Sequence, residues 1–252
     1  MIPFHDENAT QRPAYVTMVV IALCGVAWVL IQGAGEDVSL ARSVCLLGLI
    51  PGELTGLLAA GVQFPISDTL VCTTTAGPSY ANVLTSMFLH GGWMHLIGNM
   101  WFLWLFGNNI EDSMTRPRFI VFYLICGVAA ALAQVLAQPD SVIPMVGASG
   151  AISGVMGGYL VLYPRVRIFT LIPLGFFFWT VKLPAWVMLI YWTVLQVGGG
   201  LMQSGEGGGV AFWAHLGGLL AGIVLIKIFA KSNHVVAHQA HHYQPQQAGW
   251  PR

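Results

Sequence analysis

The chain has 252 residues, of which 56% are hydrophobic and only 8% charged, with a mean hydropathy of +0.71, against roughly 25% charged for an ordinary soluble domain. So few charges cannot cover a 27.2 kDa water-soluble fold, and the length of the apolar runs makes lipid the solvent for most of the molecule. Ten basic and ten acidic residues sum to zero, which leaves no net field to recruit a polyanion and excludes nucleic acid as a partner.

In chain order, residues 1–13 are a short polar segment, read as cytoplasmic. A helix needs about 20 mostly apolar residues to cross ~30 Å of hydrocarbon, and residues 14–34 supply them without a charge. No basic stretch precedes this run and no small-x-small site follows it, so it is read as a first span and not as a cleaved signal peptide. Nearly sixty residues then intervene, broken by Pro51, Pro65 and Pro78. Such a mixture of polar and apolar stretches predicts a folded loop on or partly in the membrane surface. Further apolar runs follow at about residues 93–110, 119–138, 146–163, 185–202 and 210–230. The stretch 168–183 is long enough to span, but Pro173, Gly175 and the aromatic cluster Phe176, Phe177, Phe178 and Trp179 read as an interfacial connection. The last segment, residues 231–252, holds His234, His238, His241 and His242 among Gln and Pro and is read as a disordered cytoplasmic tail. With no carboxylate or Cys to complete a set, it is not read as a metal site.

The expected fold is thus an all-α polytopic membrane protein: a six-helix bundle over residues 14–230 with a long membrane-associated first external loop. With the N-terminus inside, nine of the ten basic residues fall on the cytoplasmic side and only Arg42 lies outside, as the positive-inside rule requires. A seventh span would put Lys227 and Lys231 on the wrong side. In the outer loop, Cys45 and Cys72 are able to pair if that face is oxidising, whereas Cys24 and Cys126 lie inside spans and read as core.

Parity makes the second, fourth and sixth spans run in the same direction, so their first turns share one leaflet. His95 and Asn99 open the second span, Gly147-Ala148-Ser149-Gly150 opens the fourth, and His215 lies near the start of the sixth. At ~1.5 Å per residue all sit within roughly 10 Å of the outer boundary. A histidine inside a span is costly and marks a functional site. The G-A-S-G string alone is weak, since a glycine-rich chain produces it by chance, and no strand-helix alternation surrounds it to make a nucleophile elbow. The pairing of Ser149 with an intramembrane histidine at one depth carries more. Gly150, Gly154 and Gly158 on one span, and Ala214, Gly218 and Gly222 on the other, form small-xxx-small stripes that let two helices pack closely. Such packing is expected to bring Ser149 Oγ within reach of a His215 nitrogen, the nucleophile and base of acyl transfer. His95 and Asn99, four apart on one face, and the Ser149 backbone N–H are the expected oxyanion donors. No third carboxylate lies at that depth, so a dyad is expected.

These residues resemble the rhomboid family of intramembrane serine proteases over roughly residues 14–230. The likeness runs through H-G-G-W-M-H-L-I-G-N at 90–99, G-A-S-G-A-I-S-G at 147–154 and A-H-L-G-G-L-L-A-G at 214–222. The resemblance implies Ser149 as nucleophile, His215 as general base, His95 and Asn99 as oxyanion donors, and support from His90, Gly147 and Gly150. It implies protein substrates with a transmembrane segment and chemistry that calls for no cofactor and no metal. The chain departs from the family at Ser153, where an aromatic residue often packs on the histidine, and at Thr115, where a cytoplasmic motif has glycine. The family's Trp-Arg pair is not found in the first loop. Glu111 and Arg118 are read as a structural ion pair or cap on the inner face. Residues 203–209 (QSGEGGG) are expected to act as a hinged cover. Two further function classes were weighed: a catalytically silent relative that binds transmembrane segments, which has no reason to hold both Ser149 and His215, and a transporter, which would favour intramembrane acids or an inverted repeat. The compact chain suits a bacterial inner membrane with both termini cytoplasmic, and its oligomeric state is open.

Overall fold

The structure, a computed structural model, describes residues 1–66, 70–75, 77–174, 177–202 and 211–243. It opens with a strand, β1 (Ile2–Asp6), followed by α1 (Tyr15–Leu30). The expected outer loop folds as α2 (Asp37–Leu47), α3 (Pro51–Thr55), the antiparallel pair β2 (Gln63–Pro65) and β3 (Val71–Thr73), and the one-turn α4 (Asn82–Thr85). Then come α5 (Trp93–Asp112), α6 (Arg116–Ala137), α7 (Ser149–Leu162), β4 (Arg167–Leu174), β5 (Phe177–Pro184), α8 (Ala185–Met202), α9 (Phe212–Phe229) and α10 (Ser232–Tyr243).

Each of the six apolar runs read as spans forms a helix: α1, α7 and α9 are shorter than their runs, α5 and α6 slightly longer, and α8 coincides with its run. Helices α6, α8 and α9 are long and apolar enough to cross a membrane, while α1 and α7 are shorter apolar helices. The first run stops early because Gly33, Ala34 and Gly35 all take positive φ, turning the chain out of the helix after Leu30. Outward-facing Val19, Leu23, Val26 and Val29 on α1, and Leu220, Val224 and Ile228 on α9, are exposed, as lipid-facing residues are.

The centre of the bundle is α7. Its most extensive neighbours are α9, then α6 and α5, and small residues explain why. A Cβ at Gly218 would run into the Gly150 carbonyl oxygen and one at Gly222 into that of Gly154, so these two helices touch backbone to backbone. On the α6 side, a Cβ at Gly150 would lie 2.6 Å from that of Ala130.

Three segments differ from the sequence reading. The stretch 168–183, read as an interfacial connection, is built of strands: β4 and β5 form a hairpin, and β4 also pairs antiparallel with β1 to give a three-stranded sheet in the order β1-β4-β5. Its β-branched and aromatic residues favour the pleated state, and β1 supplies a partner that no local pattern reveals. The N-terminal segment is accordingly part of the fold. The tail read as disordered holds α10, because His238 is buried between Asp112 Oδ2 (2.7 Å from Nδ1) and Asn8 Oδ1 (2.8 Å from Nε2). Near the same end, Glu111 accepts from the Val16 and Thr17 N–H groups at 3.0 and 2.8 Å, capping α1. Arg118 does not pair with it; the guanidinium donates to the Phe229 carbonyl at the end of α9 instead, at 3.0 Å.

The outer loop is tied down at several points. Cys45 and Cys72 are bonded, with Cα atoms 5.7 Å apart. Glu53 accepts from the Thr75 N–H at 2.6 Å, and Asn82 Nδ2 donates to the Gly48 carbonyl at 2.9 Å. Leu49 bridges Met145 through two backbone bonds of 3.0 and 2.7 Å, and the Gly147 N–H donates to the Ser86 carbonyl at 2.9 Å. The loop therefore fixes the chain just before α7.

Candidate active site

Ser149 is the first residue of α7, and His215 lies in the first turn of α9. The backbone contact between these helices sets the pair so that His215 Nε2 is 2.8 Å from Ser149 Oγ. His215 is 8% exposed, enough burial to hold the ring in one orientation. The start of α9 has no side-chain cap of its own, and Gln134 of α6 supplies one, its Oε1 accepting the Ala214 N–H at 3.3 Å.

His95 and Asn99 occupy successive turns of α5. The Gly91 N–H donates to His95 Nδ1 at 3.2 Å. That bond makes Nδ1 the acceptor and puts the ring proton on Nε2, the nitrogen aimed toward Gly147. Asn99 Nδ2, buried, has no hydrogen-bond partner among the described residues. Both side chains thus offer a spare N–H at one place. Gly147, with φ +123°, marks that place: a Cβ added there would stand 2.7 Å from His95 Nε2 and 3.4 Å from Asn99 Nδ2. Only glycine accommodates both the conformation and the close approach.

His90 is fully buried, its ring edge-on to that of His95 with centroids 5.2 Å apart. Gln32, beyond the end of α1, holds the His90 backbone on both sides, accepting its N–H at 2.8 Å and donating to its carbonyl at 2.7 Å. His90 therefore backs His95 by packing. His95, Asn99, Gly147, Ser149, Gly150 and His215 border one cavity of about 580 Å³.

Two residues around His215 escaped the sequence reading, and both come from α8. Gln196 Oε1 lies 2.7 Å from His215 Nδ1, and the Trp192 ring sits against the imidazole with centroids 5.7 Å apart at 42°. The two stand four residues apart, on one face of α8. Ser153, where an aromatic residue was expected to matter, spends its hydroxyl on the Ser149 carbonyl at 2.6 Å. The expected cover at 203–209 lies outside the described residues. Among the described residues no group of His, Cys, Asp or Glu side chains is arranged to hold a metal ion.

Fold and site together define a helical integral membrane protein with a serine and a histidine joined at the openings of two parallel helices. The rhomboid domain profile matches residues 78–232, more than half of the chain, and the protein belongs to the rhomboid family. Over 161 residues it is 30% identical to the chloroplastic Rhomboid-like protein 11 of Arabidopsis thaliana, an alignment covering 61% of this chain and 54% of the relative. It is 29% identical over 150 residues to the mitochondrial Rhomboid protein 1 of Saccharomyces cerevisiae, covering 58% and 41%. It is 32% identical over 148 residues to Rhomboid-like protease 5 of Toxoplasma gondii, covering 56% and 15%. The chain thus spans about half or less of the length of these curated relatives. Two of them carry organellar names, so they do not support the expectation of a bacterial inner membrane.

Proposed function

We propose that this chain is an intramembrane serine endopeptidase that hydrolyses a peptide bond in or beside the transmembrane segment of a membrane-protein substrate. The observation that carries the reading is the 2.8 Å contact between Ser149 Oγ and His215 Nε2, made beside two side-chain N–H donors that converge on Gly147.

The chemistry follows from the atoms. Ser149 Oγ attacks the scissile carbonyl while His215 Nε2 takes its proton. The oxyanion that forms accepts from His95 Nε2, Asn99 Nδ2 and the Ser149 backbone N–H, which as the opening N–H of a helix has no intrahelical partner. Collapse passes the proton from His215 to the leaving amine and leaves an acyl group on Ser149 Oγ. Water, deprotonated by the same nitrogen, then releases the new carboxylate and restores the serine. Helical backbone in lipid is fully hydrogen-bonded, so a substrate must unwind locally to present its carbonyl. Segments rich in small or helix-breaking residues near the outer face are the expected class.

The reading includes six spans with both termini inside and the dyad near the external face. Its test is cleavage of a single-span substrate in liposomes by wild type, Ser149→Ala and His215→Ala, with products identified by mass spectrometry. A cut near the outer boundary by wild type alone is expected. Equal cutting by all three sinks the dyad, and binding without cutting by any folded variant favours a silent binder of transmembrane segments.

A further inference from the structure

A serine and a histidine suffice to move the proton, but the imidazole works only in one tautomer. Nε2 must present a lone pair to the serine, which requires the proton on Nδ1. What fixes the proton there is not on α7 or α9. Helix α8 touches the bundle lightly, burying only Ala185, Met188 and Leu189, and most of its apolar surface, including Val194 and Leu195, is exposed. In such a helix a glutamine turned inward loses hydration and has to recover it from a partner. Gln196 recovers it from His215, 2.7 Å away. One turn earlier, Trp192 lays its ring beside the imidazole.

We propose that Gln196 is the positioning residue of the catalytic histidine: its side-chain oxygen accepts the His215 Nδ1–H and holds the ring in the tautomer and orientation that face Ser149, with Trp192 fixing the ring plane. The inference rests on the serine-protease reading of the site. It supplies the third member that the sequence lacks as a carboxylate, and it does so without charge. An amide oxygen orients the ring through one satisfied hydrogen bond and brings no charge to this depth. It also relocates the support of the histidine. Ser153 of α7 is committed to its own helix, and the aromatic and polar contacts to His215 both come from one face of α8, four residues apart.

The test uses the full-length protein in detergent micelles as wild type, Ser149→Ala, Gln196→Leu and Gln196→Glu. Reaction with a fluorophosphonate probe is timed, and ¹⁵N-histidine NMR reports the His215 tautomer independently of turnover. Labelling of wild type but not of Ser149→Ala is the control for the nucleophile; its absence in wild type defeats the protease reading and not the Gln196 assignment, which NMR reads separately. Gln196→Leu is expected to label about 10- to 100-fold more slowly, with KM for a single-span substrate little changed, and to show a mixed tautomer population. Gln196→Glu, which keeps an acceptor at the same reach, is expected to restore most of the rate and the Nδ1–H form. The proposal is overturned if Gln196→Leu keeps both the wild-type labelling rate and the Nδ1–H tautomer. It is equally overturned if Gln196→Glu recovers thermal stability without recovering rate or tautomer, since Gln196 would then only hold two helices together.

Discussion

Gly147 is the residue at which the helix opened by Ser149 and the proposed oxyanion donors meet. Its φ of +123° disfavours any side chain, and a Cβ would stand 2.7 Å from His95 Nε2. Gly147→Ala is therefore expected to displace the His95 donor, lowering kcat on a single-span substrate by about 10²-fold and costing on the order of 1–3 kcal/mol of backbone strain. Turnover and thermal unfolding measured on the same preparation separate the two effects. Asn99→Ala removes a donor with no partner among the described residues, so kcat is expected to fall by about 10²-fold with KM little changed, the pattern of a contact made only in the transition state. A KM effect alone would make Asn99 a substrate-binding residue. At this scale the sequence was legible where a residue type is expensive. His95, Asn99 and His215 inside apolar spans stand out because the membrane penalises them. Gln196 and Trp192 did not stand out, because an aromatic residue is unremarkable in a span and one glutamine carries no signal until its partner is known. Gln134, which caps α9 from α6, was hidden for the same reason.

Between elements, the glycine stripes were readable and the strands were not. Small residues every fourth position predict close helix packing from local spacing alone, and the α7 and α9 backbones meet at Gly150 with Gly218 and at Gly154 with Gly222. Gly222→Ala has no room for its methyl group and is expected to cost about 1–3 kcal/mol, seen as a lowered unfolding midpoint. The β1-β4 pairing joins Ile2 to Leu171, a separation that no short-range pattern reports. The same strand brings Asp6 against Tyr159 of α7, whose hydroxyl donates to Oδ2 at 2.7 Å, and against Asn109 Nδ2 at 2.9 Å. Burial outweighs these bonds and the nearby His5 and His238, and raises the Asp6 carboxyl from 3.8 to about 6. A carboxyl that is protonated more readily when docked than when free stabilises docking below pH ~4, and that contribution is lost as pH rises through about 6. The difference is on the order of 3 kcal/mol. The protection factors of the β1 amides, corrected for intrinsic base-catalysed exchange, are therefore expected to be highest in mild acid and to fall toward neutrality, and Asp6→Asn to flatten the dependence. A flat profile in wild type would show the carboxyl to be hydrated and ordinary.

Across the whole molecule, the proposed chemistry and the anchoring contacts sit at opposite ends of the same helices. Ser149 opens α7, and Tyr159, near its close, bonds the N-terminal strand. His95 opens α5, and Asp112 at its end accepts from the Gln11 N–H at 2.9 Å and pairs with Arg12 at 2.8 Å and with His238 of α10. The N-terminal segment and α10 are thus gathered at the end of the bundle away from Ser149 and His215. The hairpin that carries Arg167 and Lys182 pairs with β1 at this end of the fold, with Phe177, Phe178 and Trp179 exposed as interfacial aromatics are. The polarity can be read directly because the native cysteines are silent: Cys45 and Cys72 are bonded to each other, and Cys24 and Cys126 are buried. A single cysteine introduced at Tyr80, 71% exposed in the outer loop, or at Phe178, 66% exposed at the hairpin, is then the only reactive thiol. In sealed vesicles an impermeant maleimide is expected to label Tyr80→Cys and Phe178→Cys from opposite sides, with Tyr80→Cys on the side where a substrate is cut. Labelling of both from one side would place the hairpin and the loop on a common face and overturn the proposed topology, in which Ser149 and His215 lie near the external face and the hairpin on the opposite one.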